Sequence, residues 1–359
     1  MGGPAGTVIA TRAAMATIGI IANPVSARDI RRVVANAGNL QISDRANIVL
    51  RVLTAAAACG VTRALVMPDR GGIRAHLQRS LSRHWPHGHF PQVEFLDMDP
   101  SSTVADSFAA TRLLCAAGAP VIVVLGGDGT HRAVVRECGA VPLAGISTGT
   151  NNAFPEMREP TITGIAAGLY ASGCIAAADA LRPNKLLEVE IEHRDRRVTR
   201  DIAIVDAVVT HDRIVGARAL WKTEGLASAC LAFADPQAVG LSAIGGLLEP
   251  VGRADAGGLA IDMAADDAHA QVTLRVPIAP GLIRPVRIAS WRRLVADEPY
   301  SVALEGGTVA LDGERELAFE PGDRVRVTLR ENAFFTLDVA RCMALAARNG
   351  LLRFPAVPH

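Results

Sequence analysis

The chain has 359 residues, enough for two domains, and a net charge of +1 from 37 Lys and Arg against 36 Asp and Glu. Acids and bases are mixed along it, which argues against a nucleic-acid-binding tail and against a polybasic membrane anchor. Half of the residues are apolar and only 4% aromatic, so the core must be built from Ala, Val, Ile and Leu.

No apolar run is long enough to span a bilayer. The six cysteines stand far apart with no CxxC pair, so neither a zinc site nor a disulfide framework is expected, and a reducing, cytoplasmic setting fits. Residues 1–15 are expected to be disordered; residues 1–14 are Gly-rich and lack the basic start and cleavage site of a signal peptide.

The first predicted element is a strand over 17–22, ending at Asn23-Pro24 because Pro cannot continue a central strand. Ser26 is placed to cap a short helix to about residue 35, and Ser43 a longer one that Gly60 stops. A strand at 64–67, a helix at 73–81, a strand at 93–98 and a helix from Thr103 to about Gly118 follow. Residues 121–125 form an apolar run without polar alternation, as in a strand buried on both faces of a parallel sheet. It runs into Gly126-Gly127-Asp128-Gly129-Thr130, a helix to Cys138 and a strand at 143–146.

Strands alternating with helices predict a doubly wound parallel sheet, in which ligands bind beyond the carboxyl ends of the strands. Asn23, Asp128 and Ser147-Thr148 all fall at such ends. After Pro183 the texture changes to short alternating segments at 187–191, 200–209, 259–263, 272–276, 302–309 and 324–329, which predict an antiparallel β-domain. Residues 339–353 return to helical spacing and are expected to pack on the first unit. The expected fold is therefore α/β: a parallel-sheet domain at 16–155 with 339–359, and a β-sandwich-like domain at 156–338.

Gly126, Gly127 and Gly129 let backbone N–H groups approach an anion, and Thr130 is placed to cap a helix whose N-terminus adds partial positive charge. An acid among such glycines is out of place unless it handles Mg²⁺ or a hydroxyl proton, which singles out Asp128. One strand later, Thr148-Gly149-Thr150-Asn151-Asn152 offers backbone and side-chain donors to phosphate oxygens; alone it is a polar turn. There is no GxxxxGK[ST], and Arg132 stands where a dinucleotide fingerprint has its third glycine. Asp312-Gly313-Glu314 reads either as a hairpin tip or as two acids facing Mg²⁺, ribose or acceptor across a cleft. His84, His87 and His89 share a loop with no acidic partner, and His131 reads as a phosphate contact or an exposed helix-start residue.

Together these motifs resemble the superfamily of NAD kinases, diacylglycerol kinases and sphingosine kinases. Pro277-Ile278-Ala279-Pro280 with Arg284-Pro285 is similar to a stretch of NAD kinases, and 240–246 to a reduced form of their Ser/Gly-rich segment. The turn at Asp312 is similar to one found in both branches, and Asn23-Pro24 with Ser26 to the lipid-kinase start. The overall texture resembles the acetoin catabolism protein X group, filed with ATP-NAD kinases.

The resemblance implies phosphoryl transfer from ATP, with Mg²⁺, to a hydroxyl of NAD or a related small molecule. Asp128 would be the base or metal-associated acid, and Asn23, the glycines, Thr130 and residues 148–152 the phosphate cradle. Asp312 and Glu314 would lie on the acceptor side. NAD kinases carry an Asn-Glu pair where this chain has Val205-Asp206, which leaves Asp206 alone to hold the dinucleotide. A Thr-Gly-Ser-Thr-Ala-Tyr stretch of that family is also largely absent, so transfer is better supported than the acceptor. A lipid kinase of the diacylglycerol type and a non-catalytic nucleotide-binding accessory protein are the alternatives. Small-molecule nucleotides are the expected partners, without nucleic acid or membrane, in a homo-oligomer (dimer or tetramer).

Overall fold

The computed structural model describes residues 15–24, 40–82, 89–148, 152–211, 225–313 and 315–353. The expectations for residues 1–14, the helix from Ser26, His84, His87, Gly149, Thr150, Asn151 and Glu314 lie outside the described residues.

Strands β1 (Thr17–Ala22), β2 (Arg63–Val66), β3 (Gln92–Phe95), β4 (Ile122–Gly126) and β5 (Leu143–Ser147) pair in parallel in the order β3-β2-β1-β4-β5. Between them run α1 (Ile42–Ala58), α2 (Ile73–Leu81), α3 (Ala105–Ala116) and α4 (Asp128–Val135). Every residue of β1 and β4 is buried, as their unbroken apolar sequence requires for strands covered on both faces. The strand order reverses between β1 and β4, and the crevice of such a sheet opens beyond that reversal. Ala22 lies beside Leu125, so Asn23 and Gly126 emerge side by side there.

Next come α5 (Pro160–Ala171), α6 (Ala177–Ala180), β6 (Leu181–Glu192), β7 (Val198–Ala203), β8 (Asp206–Thr210), β9 (Leu226–Leu231) and α7 (Ala243–Leu248). The chain continues through β10 (Gly258–Met263), β11 (Val272–Ala279), β12 (Leu282–Leu294), β13 (Pro299–Ser301), β14 (Gly307–Leu311), β15 (Arg315–Phe319), β16 (Arg324–Leu337) and α8 (Val339–Arg348). A second, wholly antiparallel sheet has the order β11-β12-β10-β9-β8-β14-β15.

The other late strands do something the sequence pattern does not announce. β6, β7, β13 and β16 extend the first sheet: β16 pairs antiparallel with β6, and its Thr336 lies parallel to Leu143 of β5. Their inner residues, such as Val189, Ile191, Val325 and Val327, share a core with Ala207, Val209 and Val309 of the second sheet. The same cluster runs on to Val124 of β4 and Val134 of α4, so one continuous core joins the two sheets. β16 was expected to stop near residue 329; it passes through polar Arg330-Glu331-Asn332 with a register shift before Phe334 and continues. The expected strand at 200–209 is two strands, for a reason that lies in the site.

On the opposite face, Gly164 and Gly168 let α5 lie directly on α1. A Cβ on Gly164 would come within 2.7 Å of Val52 O, and one on Gly168 within 2.7 Å of Cys59 Cβ. Val339, Cys342 and Ala346 of α8 share a core with Ile18, Ile20 and Val123, so the last helix packs on the parallel half. Among the described residues no helix is long and apolar enough to cross a membrane.

Candidate functional site

Helix α4 begins at Asp128, with Gly127 in an extended conformation as its N-cap. Thr130 is therefore not the cap that the sequence pattern suggested: it lies inside the first turn, buried and folded back over Gly126. A Cβ on Gly126 would stand 2.5 Å from Thr130 Cβ, and one on Gly127 2.7 Å from Asn152 Oδ1. These two glycines are required by the side chains that close over them rather than by backbone angle.

His131 is neither exposed nor at a phosphate. It is fully buried, its Nδ1 lies 2.9 Å from Gly127 O, and a Cβ on Gly145 would meet its Nε2 at 2.7 Å. Burial pushes the imidazole down to about 4, against the pull of the Gly127 carbonyl and with help from the charge of Arg253. At neutral pH the ring is thus uncharged and donates Nδ1–H to Gly127 O, bracing the turn from below.

Asp128 is half-buried, and both of its oxygens are held. Oδ1 accepts from Phe154 N at 2.8 Å and Oδ2 from Ala153 N at 3.0 Å. The segment that supplies these donors is stapled to the glycine turn. Thr148 N donates to Gly126 O at 3.3 Å, and Asn152 Nδ2 donates to Ser147 Oγ at 2.8 Å. Asn23 is buried beside this turn and donates to Thr103 O at 3.0 Å and Ser107 Oγ at 3.1 Å, while its carbonyl accepts from Arg45 at 3.3 Å. The structure thus gathers Asn23, Asp128, Thr148 and Asn152 at the carboxyl ends of β1, β4 and β5.

Asp312 behaves differently from the cleft-facing acid considered above. Its side chain is 0% exposed, in a turn whose backbone enters the left-handed region at φ 48°. Its carboxylate accepts from Ile204 N, Val205 N and Asp206 N at 2.8–3.2 Å. Those N–H groups cannot serve a strand ladder as well, so the expected strand at 200–209 breaks between β7 and β8. Arg132 of α4 lies 3.5 Å from Asp312 and 3.6 Å from Asp201, and Arg136 and Arg315 also pair with Asp201. This ion network, buried at Arg132, Asp201 and Asp312 and exposed at Arg136 and Arg315, fastens the helix that carries Asp128 to β7 and to the β14–β15 turn. Burial raises the Asp312 carboxyl well above the usual range; Asp206 adds to this, Arg132 opposes it, and Asp128 adds a further part. Asp206, buried at the start of β8, is therefore within electrostatic reach of the same cluster.

Residues 18–174 match the family model of the ATP-NAD kinase N-terminal domain, and residues 158–332 that of the acetoin catabolism protein X C-terminal domain. Over 337 residues the chain is 58% identical to acetoin catabolism protein X of Cupriavidus necator, covering 94% of either chain. The chain belongs to the acetoin catabolism protein X family. Among solved structures, yeast NADH kinase complexed with NADH is similar with a TM-score of 0.47 and 14% identity, over 96% of this chain and 89% of that one. A Bacillus anthracis protein assigned as a diacylglycerol kinase gives 0.40 and 14%, over 77% of this chain and 97% of that one.

In this member of the acetoin catabolism protein X family, Arg253 ties the C-terminal-domain segment to the kinase-type segment, and Lys185 holds the loop that carries Arg253. Arg253 Nη2 donates to Ala153 O and Phe154 O, both at 2.6 Å, and its guanidinium lies between the Phe154 and Phe233 rings. Lys185 is buried on β6 and donates to Gly252 O, Asp255 O and Gly257 O, which spends all three of its protons on the loop that carries Arg253. Sequence reasoning missed both. An arginine in a Gly-rich loop has no periodicity to mark it, and Lys185 stands in a strand that also carries Arg182, Glu188, Glu190 and Glu192, so nothing in the pattern singles it out.

Among the described residues no group of three or more His, Cys, Asp or Glu is placed to hold a metal ion. Mg²⁺ needs no such group of three. That ion is usually bound through one or two carboxylates together with substrate phosphates, so here it would enter with a triphosphate.

Proposed function

We propose that this family member is an ATP-NAD kinase-like phosphotransferase. It moves the γ-phosphoryl group of a nucleoside triphosphate to a hydroxyl of NAD or a related small molecule, in acetoin catabolism. The observation that carries this reading is the Asp128 carboxylate, fixed by two main-chain N–H groups at the first turn of a helix that follows two glycines. A carboxylate oxygen can accept more than one hydrogen bond.

In this reading Gly126, Gly127, Gly129 and Thr130 present the start of α4 to the phosphates, where N–H groups and the helix dipole favour an anion. Thr148 and Asn152 form the second wall, and Asn23 the floor. Asp128 accepts a hydrogen bond from the acceptor hydroxyl and takes its proton. The new O–P bond forms as the bond between γ-phosphorus and the bridging oxygen breaks, releasing nucleoside diphosphate. The transition state is loose, so positioning does most of the work and proton removal typically adds about 10²–10⁴-fold. Asp206 receives hydrogen bonds from the acceptor, while Asp312 supports the wall from behind.

One specific observation favours a second reading, a nucleotide-binding accessory protein without turnover: Val205-Asp206 offers no amide donor where NAD kinases carry an asparagine. Phosphorus NMR on the chain with ATP, Mg²⁺ and NAD separates the two. A phosphomonoester signal growing with ADP supports the kinase. ATP that binds but is never consumed, with NAD or with other hydroxyl compounds, supports the accessory protein.

A further inference from the structure

The two peptide groups that hold Asp128 are themselves held from the other side. Ala153 and Phe154 give their N–H groups to the Asp128 carboxylate and their carbonyls to one nitrogen of Arg253. Arg253 is about a hundred residues further along the chain, 100 from Ala153 and 99 from Phe154, and so belongs to the other family segment. Its plane is set by aromatic rings on both faces, at 4.8 Å for Phe154 and 4.6 Å for Phe233.

The Arg253 loop is anchored in its turn. Lys185 binds three of its carbonyls, Asp255 Oδ2 accepts from Gly252 N at 2.7 Å, and Glu331 Oε1 accepts from Gly257 N at 2.6 Å. Lys185 and Glu331 stand on β6 and β16, the strands that extend the first sheet. Burial lowers the Arg253 guanidinium to about 10, which leaves it charged at neutral pH.

We infer that Arg253 is a positioning residue: it orients the Asp128 carboxylate through the peptides of Ala153 and Phe154, so that the acid is set for transfer only while the two family segments are engaged. This rests on the phosphotransferase reading for its catalytic consequence but not for its geometry. A charged hydrogen-bond donor is worth more here than packing alone, because both carbonyls it holds are half-buried and pre-aligned.

The test compares Arg253→Met, which keeps the bulk between the rings, with Arg253→Lys, which keeps the charge without the planar fork. Hydrogen exchange at the Ala153 and Phe154 amides is read against the β4 amides of Ile122 to Leu125. In Arg253→Met the two loop amides should exchange on the order of tenfold faster, with β4 unchanged and Arg253→Lys in between. In the same proteins kcat should fall on the order of 10²-fold, with KM for ATP within about threefold. Unchanged exchange at 153 and 154, or a rise shared equally by β4, overturns the inference. If Arg253→Met does not fold, Phe233→Leu releases one face of the stack and is read the same way. If the parent chain transfers no phosphate, the functional reading fails, and the exchange result still decides the role of Arg253.

Discussion

Two acid-glycine turns in this chain look alike in sequence and do opposite things. Asp128-Gly129 and Asp312-Gly313 each follow an apolar strand, and each carboxylate takes main-chain N–H groups from a distant segment. Asp128 stays half-buried at a crevice, with helix α4 starting behind it. Asp312 is fully enclosed and lies 3.5 Å from the buried Arg132. An acid beside a glycine therefore marks a place where backbone donors converge; whether that place is a site or a rivet depends on what closes over it. Over Asp312, Arg132 and the β7–β8 corner close the space.

The largest effect expected from this contrast is on stability at the enclosed turn. Asp312→Ala strands three N–H groups and deprives Arg132 of a partner, so it should cost about 3–5 kcal/mol in denaturant unfolding. A loss under about 1 kcal/mol would make Asp312 an ordinary turn residue and erase the contrast.

The buried imidazole gives the next effect, and it is pH-dependent. The folded value of His131, about 4, lies below the ordinary 6.5, so between those limits the unfolded chain binds the extra proton. Stability from this residue is complete above pH 6.5 and drains away as pH falls toward 4, by up to about 3 kcal/mol. His131→Asn keeps a donor for Gly127 O and should lose that part of the acid sensitivity. Identical pH profiles for parent and variant would place the ring in a wetter setting than the fold gives it.

Gly126→Ala should cost about 1–3 kcal/mol, because its Cβ would overlap the Thr130 side chain that folds over it. Full stability at that substitution would mean that Thr130 swings away freely. The smallest effect belongs to the acceptor side. Asp206→Ala removes the acid that would receive hydrogen bonds from the acceptor and should weaken NAD binding by roughly threefold to twelvefold in calorimetry, the worth of one hydrogen bond. An unchanged or tighter affinity would separate Asp206 from NAD.

How much of this was legible beforehand differs between the halves for physical reasons. β1, α2, β4 and the glycine turn could be read because apolar runs and glycines act locally; the caps could not, since α1 begins at Ile42 with Gln41, not Ser43, as its N-cap, and α4 is capped by Gly127. So could the antiparallel character of the later strands. Membership of the two sheets could not be read: the alternation along β6 and β16 is the same whichever sheet they join, and only packing decides. The break between β7 and β8 depends on a carboxylate more than 100 residues away, at Asp312. Arg253 and Lys185 act through backbone carbonyls, which carry no side-chain signature at all.

The central claim is that Asp128, not Asp312, carries the chemistry. It is tested most directly by phosphoryl transfer in Asp128→Asn, with turnover corrected for bound nucleotide. The amide keeps an oxygen for one of the two N–H donors but cannot take the acceptor proton. Turnover should fall about 10²–10⁴-fold while nucleotide affinity and unfolding stay close to the parent. Turnover within about threefold of the parent would contradict the account.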